Sequence, residues 1–233
     1  MRLIRKHAFI LLTTALLLSC RSVSGGDGDR LYQEKTIKDT GYNYELDVCF
    51  PITGQKFIDR PIQKLVADTI EEFKKNIGTD LPSPNWKNYL KVSYSTFRFS
   101  EAIIGFRFEV YAFTGGAHGN TGIITRNFLP GEQRALGLED VFRKESGYLA
   151  DISRITVKQL EKQLGFYAQK EWIKRGAGPK EENFARFNLL PGAIIFYFEQ
   201  YTVAPYAAGV QEVRIPLAQL KKFLQPFFLK SGN

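Results

Sequence analysis

Cysteine and histidine are scarce in this chain of 233 residues, with two of each. The cysteines are Cys20 and Cys49, and the histidines are His7 and His118. With Cys20 modified, as its context indicates, one thiol remains and no intramolecular disulfide can form. A zinc site around His118 would need carboxylates or Cys49 for its other ligands, which is an uncommon set. The sequence therefore predicts a fold held by its hydrophobic core, without a metal ion or other cofactor.

Long hydrophobic runs are confined to the segment 8–18, which follows three basic residues and is too short to span a bilayer comfortably. This arrangement is typical of a secretory signal. The sequence Leu-Leu-Ser-Cys at 17–20 resembles a bacterial lipobox, in which the cysteine receives diacylglycerol and becomes the new N-terminus. We therefore expect 1–19 to be a lipoprotein signal peptide. The alternative is an ordinary signal peptide with an incidental cysteine.

A lipobox implies that the protein is exported to the bacterial cell envelope and held on a membrane through the lipid at Cys20. The sequence leaves open whether this is the inner or the outer membrane. Residues 21–30 are rich in Gly, Ser and Asp and have no apolar periodicity. We interpret 20–41 as a flexible tether between the lipid and the folded part.

A strong charge of either sign is also absent. The formal net charge is +8, and removal of 1–19 leaves 29 basic and 24 acidic residues, a net charge of +5. The basic residues are scattered, without a run of five or six. Nucleic acid is therefore not an expected partner.

Apolar periodicity predicts an α+β fold in which an antiparallel β-sheet packs with a few helices, as two small subdomains sharing a core. The N-terminal subdomain, 42–100, begins with an alternating strand that has Cys49 on its other face. A helix follows, with Asp59 as its cap, Pro61 in its first turn and Gly78 at its end.

The C-terminal domain is assigned to 101–229. One strand is predicted just before the boundary between 100 and 101, at 90–99, and two after it, at 103–113 and 121–129. A helix is predicted between Gly147 and Gly165. A polar stretch at 170–179 precedes two more strands, at 193–198 and 210–215. Pro216 then opens a short amphipathic helix over 217–224.

The sequence Thr-Gly-Gly-Ala-His-Gly-Asn at 114–120 joins the second and third of these strands. Gly115 and Gly116 permit positive φ angles, which suit a tight bulged hairpin, and their N–H groups could form a small anion nest. His118 has three candidate roles: bonding the loop backbone, contacting a ligand, or catalysis. No G-x-S-x-G elbow or similar context accompanies it, so a catalytic triad is not favoured.

An aromatic turn at 199–209 is the second candidate surface. Tyr201 and Tyr206 could stack on sugar rings or anchor a protein partner. The alternative is that both rings are buried and their hydroxyls bond the backbone. Glu139 and Asp140 are adjacent and face different ways on any regular element, so we expect them to cap the turn at 138–142 rather than form an acid/base pair.

Three stretches together resemble the RsiV-like ectodomain family: "VYAFTGGAHGNTG", "NFLPGEQRALGLEDVF" and "FNLLPGAIIFYFEQYTVAPYAAGVQEVRIPLAQL". The upstream "YNYELDVCFPITG", with its helix, is similar to the small domain that usually precedes this family. The resemblance covers 42–224. It implies kinship with the extracellular part of a lysozyme-sensing anti-sigma factor, with a module attached to a peptidoglycan deacetylase, and with exported lipoproteins of unknown role. None of these roles places known catalytic chemistry in the domain.

These observations favour a binding module over an enzyme, with peptidoglycan or a wall-active protein such as lysozyme as the partner. A strongly basic lysozyme would be repelled at long range by a chain of net charge +5 unless an acidic patch is local. A peptidoglycan hydrolase or deacetylase and a structural envelope protein are the alternatives. The candidate binding residues are Gly115, Gly116, His118, Asn120, Tyr201 and Tyr206.

Overall fold

The computed structural model describes residues 32–78 and 86–230. The strands in these ranges are β1 (Gln33–Thr40), β2 (Tyr44–Ile52), β3 (Asn88–Ser100), β4 (Ile103–Phe113), β5 (Asn120–Leu129), β6 (Arg134–Ala135), β7 (Phe187–Leu190), β8 (Ala193–Phe198) and β9 (Gln211–Pro216). The α-helices are α1 (Lys56–Asn76), α2 (Leu138–Val141), α3 (Tyr148–Leu164), α4 (Lys170–Gly176) and α5 (Pro226–Lys230). In the described ranges no helix is both long enough and apolar enough to cross a membrane.

The strands form two sheets. The larger has the order β1-β2-β3-β4-β5-β6, and the smaller has the order β7-β8-β9. Every pair is antiparallel except β2 and β3, which run parallel because α1 carries the chain back across the sheet between them. The expected α+β class with a mainly antiparallel sheet is confirmed, and the parallel pair is an exception that the hairpin-like order of strands did not predict.

Helix α1 begins three residues before the predicted cap, at Lys56. Asp59 lies in the first turn, where its carboxylate accepts hydrogen bonds from the backbone N–H of Thr53 at 2.8 Å and of Gly54 at 3.0 Å. Asp59 therefore holds Thr53 and Gly54, which precede the helix, in place, although it lies within the helix itself. Pro61 lies inside the helix, in its second turn, rather than in the first turn as predicted, and it removes one intrahelical hydrogen bond there.

The two faces of the large sheet are covered differently. Leu90 and Phe106, at even-numbered positions of β3 and β4, pack under α1. On the opposite face, Phe97 of β3 and Ile123 of β5 pack against Ile195 and Tyr197 of β8. The small sheet therefore covers only the part of this face near the end of β3. The face near the start of β3 stays partly open.

Two buried asparagines join the sheets. Asn188 of β7 donates from Nδ2 to Oδ1 of Asn127 in β5 over 2.9 Å, and Asn127 donates from Nδ2 to the carbonyl of Phe187 over 2.8 Å. Gly105 of β4 lies directly beneath them. A Cβ there would stand 2.6 Å from Asn127 Oδ1 and 2.7 Å from Asn188 Nδ2, so the position has no room for a side chain.

Several sequence-based boundaries need correction. The predicted tether, 20–41, is wrong for 33–40, because β1 pairs along its whole length with β2. Its side chains are nearly all exposed, so an edge strand here lacks the apolar alternation by which strands are recognised. The predicted signal peptide, Cys20 and the rest of the tether up to 31 lie outside the described residues.

The boundary placed between 100 and 101 falls in the turn from β3 to β4, inside one continuous sheet. The polar stretch at 170–179 contains α4, and β7 was not predicted. Cys49 is fully buried rather than on an open face, and its Sγ lies 3.8 Å from the Thr36 hydroxyl of the edge strand.

Candidate functional site

The connection between β4 and β5 carries the glycine-rich motif at the open end of the large sheet. Gly115 and Gly116 have φ angles of +104° and +89°, which confirms the positive φ expected of them. A Cβ at either position would meet nothing within 4 Å, so backbone conformation rather than crowding requires glycine here.

His118 stacks on Tyr206, with ring centroids 3.8 Å apart and planes 23° from parallel. One backbone carbonyl holds both rings. Gly119 accepts from the Tyr206 hydroxyl at 2.9 Å and lies 3.1 Å from His118 Nδ1, which is therefore the protonated ring nitrogen. The His118 side chain is exposed and that of Tyr206 is half-buried. His118 thus contacts the loop backbone, as one of its candidate roles requires, and its ring is also exposed enough to contact a ligand.

The aromatic turn is fastened to the free edge of β5 by two side chains. Glu199 Oε1 accepts from the backbone N–H of Ile123 at 2.7 Å, and Gln200 Oε1 accepts from that of Thr121 at 3.2 Å. Arg186 holds the Glu199 carboxylate from its other oxygen at 3.0 Å. These contacts satisfy edge groups that would otherwise lack partners and fix the turn beside the glycine loop.

Tyr201 is held in an uncommon conformation. Its φ is +64°, in the left-handed region that bulky side chains rarely adopt, and its side chain is 52% exposed. Its carbonyl accepts from Trp172 Nε1 of α4 at 2.9 Å, and its ring centroid lies 5.9 Å from that of Tyr206. Strain of this kind is concentrated at functional sites, because the rest of the fold must maintain it.

The row of rings continues onto the open face of the large sheet. A Cβ on Gly119 would touch the ring of Tyr111, which therefore lies directly against the loop. The Tyr111 ring is 6.3 Å from that of Tyr89 on the neighbouring strand. Both are half-buried. We call the aromatic surface the set formed by Tyr89, Tyr111, His118, Trp172, Tyr201 and Tyr206.

The structure brings the two candidate segments of the sequence together. Gly115, Gly116, His118, Tyr201 and Tyr206 all lie in or beside this surface, and their role in binding stays a prediction. Asn120 is exposed at the first position of β5, opposite Ala112.

Sequence reasoning missed Tyr89, Tyr111 and Trp172. A signal for the first two was present, because both occupy positions of their strands that alternate with the core residues, where polar side chains are usual.

The chemistry available to His118 is limited by its partner, which is a backbone carbonyl rather than a carboxylate. In the part of the chain that the structure describes, no three His, Cys, Asp or Glu side chains are grouped so that they could hold a metal ion. Asp140 caps its turn as predicted, accepting from the Gly137 N–H at 2.9 Å. Its hydrogen bond with Arg134 holds the pKa of the Asp140 carboxyl below its usual value.

Residues 139–218, which include the aromatic turn, match the family model described as a protein of unknown function (DUF3298). This part of the chain is thus similar to the DUF3298 family. A crystal structure of a DUF3298 family member from Bacteroides fragilis superposes with a TM-score of 0.58 at 17% identity, covering 86% of this chain and 97% of that one. The family resemblance and the fold are both confirmed.

Two curated relatives carry activities in their names. The chain is 28% identical to the peptidoglycan-N-acetylmuramic acid deacetylase PdaC of Bacillus subtilis, over 85% of this chain and 43% of PdaC. It is 23% identical to the esterase Rv3036c of Mycobacterium tuberculosis, over 76% of this chain and 77% of that protein. The chain thus spans less than half the length of PdaC.

Replacement of Gly116 by valine tests the conformational demand of the loop. We expect Gly116→Val to lower the free energy of unfolding by about 1–3 kcal/mol, because valine is strained at positive φ. His118→Ala is expected to cost less than about 1 kcal/mol, because the ring is exposed and makes one hydrogen bond. Urea unfolding followed by circular dichroism measures both.

Gly131→Val is the matched control, since a Cβ at Gly131 also meets nothing within 4 Å and its φ is not positive. Equal losses in Gly116→Val and Gly131→Val would contradict the conformational explanation. A loss in His118→Ala as large as that in Gly116→Val would show that the imidazole is structural.

Proposed function

We propose that this protein is a bacterial envelope lipoprotein that binds the glycan strands of peptidoglycan through the aromatic surface. The observation that carries the proposal is the stack of His118 on Tyr206 beside the exposed ring of Tyr201. Sugar rings present apolar C–H faces, and aromatic side chains with one free face are suited to stack on them.

The exposure of Tyr201 supports a role in binding, because the fold keeps this aromatic ring at the surface although burying it would be more stable. Tyr201 is half-exposed, its backbone is strained, and its position is enforced by α4 from one side and the β5 edge from the other. A ring needed only for packing would be placed in the core, where its burial would contribute several kcal/mol. Rigid aromatic rings also lose little conformational entropy on binding.

The relationship with PdaC supports the choice of ligand. PdaC is named for its action on the N-acetylmuramic acid of peptidoglycan. Because this chain corresponds to less than half of PdaC, we propose that what the two proteins share is attachment to wall glycan. A wall-active protein such as lysozyme is the alternative partner, and it would use the same exposed rings.

Anchoring through a lipid at Cys20 is part of the proposal and is motivated by the lipobox-like sequence at 17–20. The lipid would keep the aromatic surface close to the wall. In a membrane fractionation, Cys20→Ser should move the protein from the membrane to the soluble fraction and abolish incorporation of labelled palmitate. Unchanged membrane retention and labelling would contradict the anchor.

A peptidoglycan hydrolase or deacetylase is the second candidate, favoured by the names of PdaC and of the esterase. In that case His118 would act through its Nε2 atom as a base. Muropeptide profiles separate the candidates, because an enzyme changes the products released from wall material, and a His118→Ala variant would abolish that change.

Loss of the most exposed ring of the aromatic surface should weaken attachment to the wall. We expect Tyr201→Ala to lower the affinity for purified peptidoglycan by about three- to tenfold, the equivalent of one aromatic stacking contact. Co-sedimentation of the detergent-solubilised full chain with peptidoglycan measures the change.

Phe227→Ala is the control, because Phe227 is 45% exposed and its neighbour Phe228 packs on Phe99 at the far end of β3. If both variants bind as well as the wild-type chain, or if the wild-type chain does not sediment, the aromatic surface is not a peptidoglycan site. If the wild-type chain binds lysozyme but does not bind peptidoglycan, the partner is lysozyme.

A further inference from the structure

A concave surface lies on the side of the large sheet opposite the aromatic surface, between α1 and the edge strand β1. It encloses about 660 Å³, a volume within the range of small-molecule sites. Its lining is mainly apolar and includes Ile37, Phe50, Val66, Ala67 and Ile70. We call it the α1 groove.

The groove exists because α1 packs on the centre of the sheet and leaves β1 uncovered. Side chains of β1 are nearly all exposed, and Ala67 is too small to close the gap between helix and strand. The groove runs along α1 from Gln63 to Lys75. At 1.5 Å per residue this length is about 18 Å, so the groove is long and open along one side.

Positive charge borders this apolar floor. Lys35, Lys74 and Lys75 line the groove, with Glu71 as the one lining carboxylate. Lys74 is paired with Asp39 at 3.1 Å, and Lys75 with Glu71 at 2.6 Å. These two lysines are therefore neutralised within the protein.

Lys35 differs from the other two lysines. Its Nζ lies 6.0 Å from the ring centroid of Phe50, and within residues 32–78 and 86–230 no carboxylate forms an ion pair with it. Lys35 is thus a cation without a carboxylate partner, and it lies beside the apolar lining of the α1 groove. Such a site is complementary to an anion that carries an apolar chain.

We infer that the α1 groove binds a single-chain anionic amphiphile of the fatty-acid class. The acyl chain lies on the accessible apolar lining formed by Ile37, Ala67 and Ile70, and the carboxylate pairs with Lys35. This site is separate from the aromatic surface, because α1 and the small sheet cover opposite faces of the large sheet.

A photoactivatable palmitate that carries a diazirine in its acyl chain tests the inference on the full chain in membranes. After irradiation, mass spectrometry should place the label in peptides of α1 and β1. Unlabelled palmitate should compete for labelling, whereas hexadecanol, which has the same chain without the charge, should compete at least about tenfold less well.

Two substitutions separate a built site from general attraction. Ala67→Trp fills the groove from an exposed helix position, and Lys35→Glu reverses the charge, so each should lower labelling about tenfold. Lys38→Glu is the matched control, because Lys38 lies on the other face of the same strand and outside the groove lining. It should label as the wild-type chain does, and circular dichroism verifies that each variant is folded.

Any one of four results would overturn the inference. One is label distributed over the surface rather than on α1 and β1, and another is an equal loss in Lys35→Glu and Lys38→Glu. The third is labelling that Ala67→Trp does not reduce. Tyr201→Ala should leave labelling unchanged, so failure of this site and failure of the peptidoglycan proposal can be distinguished. If label appears in the groove only when Cys20 is present, the natural occupant is the protein's own lipid, which contradicts a free amphiphile.

Discussion

The contact on which the rest of the structure depends is the close approach of the two sheets over Gly105. Asn127 and Asn188 are 5% and 0% exposed, and their amides bond to each other and to the backbone of β7, while Asn188 Oδ1 has no hydrogen-bond partner among the described residues. Breaking these bonds would leave further buried amide groups unpaired, so the junction fixes the relative position of the two sheets. The missing Cβ of Gly105 is what lets the second sheet come close enough to make these bonds.

The position of the sheets determines the site. Once β7 is fixed on β5, the chain that follows β8 must pass along the free edge of β5, where Glu199 and Gln200 bond its N–H groups. Tyr206 is thereby placed on His118, although 87 residues separate Tyr206 from the carbonyl that holds both rings. The small sheet stops short of the start of β3, which leaves Tyr89 and Tyr111 uncovered beside this stack.

Local patterns predicted much of the fold, because they report burial directly. The strands β4 and β8 begin and end where apolar alternation or an apolar run indicates, and α3 lies between Gly147 and Gly165. Edge strand β1 could not be recognised in this way, since only its pairing with β2 makes it a strand. The parallel β2–β3 pair was likewise hidden, because strand direction depends on how α1 crosses the sheet.

The site could be predicted only in its parts. Glycines that need positive φ are visible in a sequence, and Gly115 and Gly116 behave as expected. That the turn at 199–209 lies against this loop follows from tertiary contacts between side chains and strand edges, which no local pattern encodes. Trp172 escaped notice for the same reason, since its role depends on a hydrogen bond to Tyr201 that forms only when α4 docks.

The sheet junction assembles one surface from these separate segments, and we propose that this surface binds glycan. Amide hydrogen exchange of the full chain, with and without soluble peptidoglycan glycan fragments, is the decisive measurement. Ligand should slow exchange in 114–121 and in 199–206 together, and it should leave α1 unchanged. Protection confined to α1, or protection of only one of the two segments, would contradict the claim that they form one site.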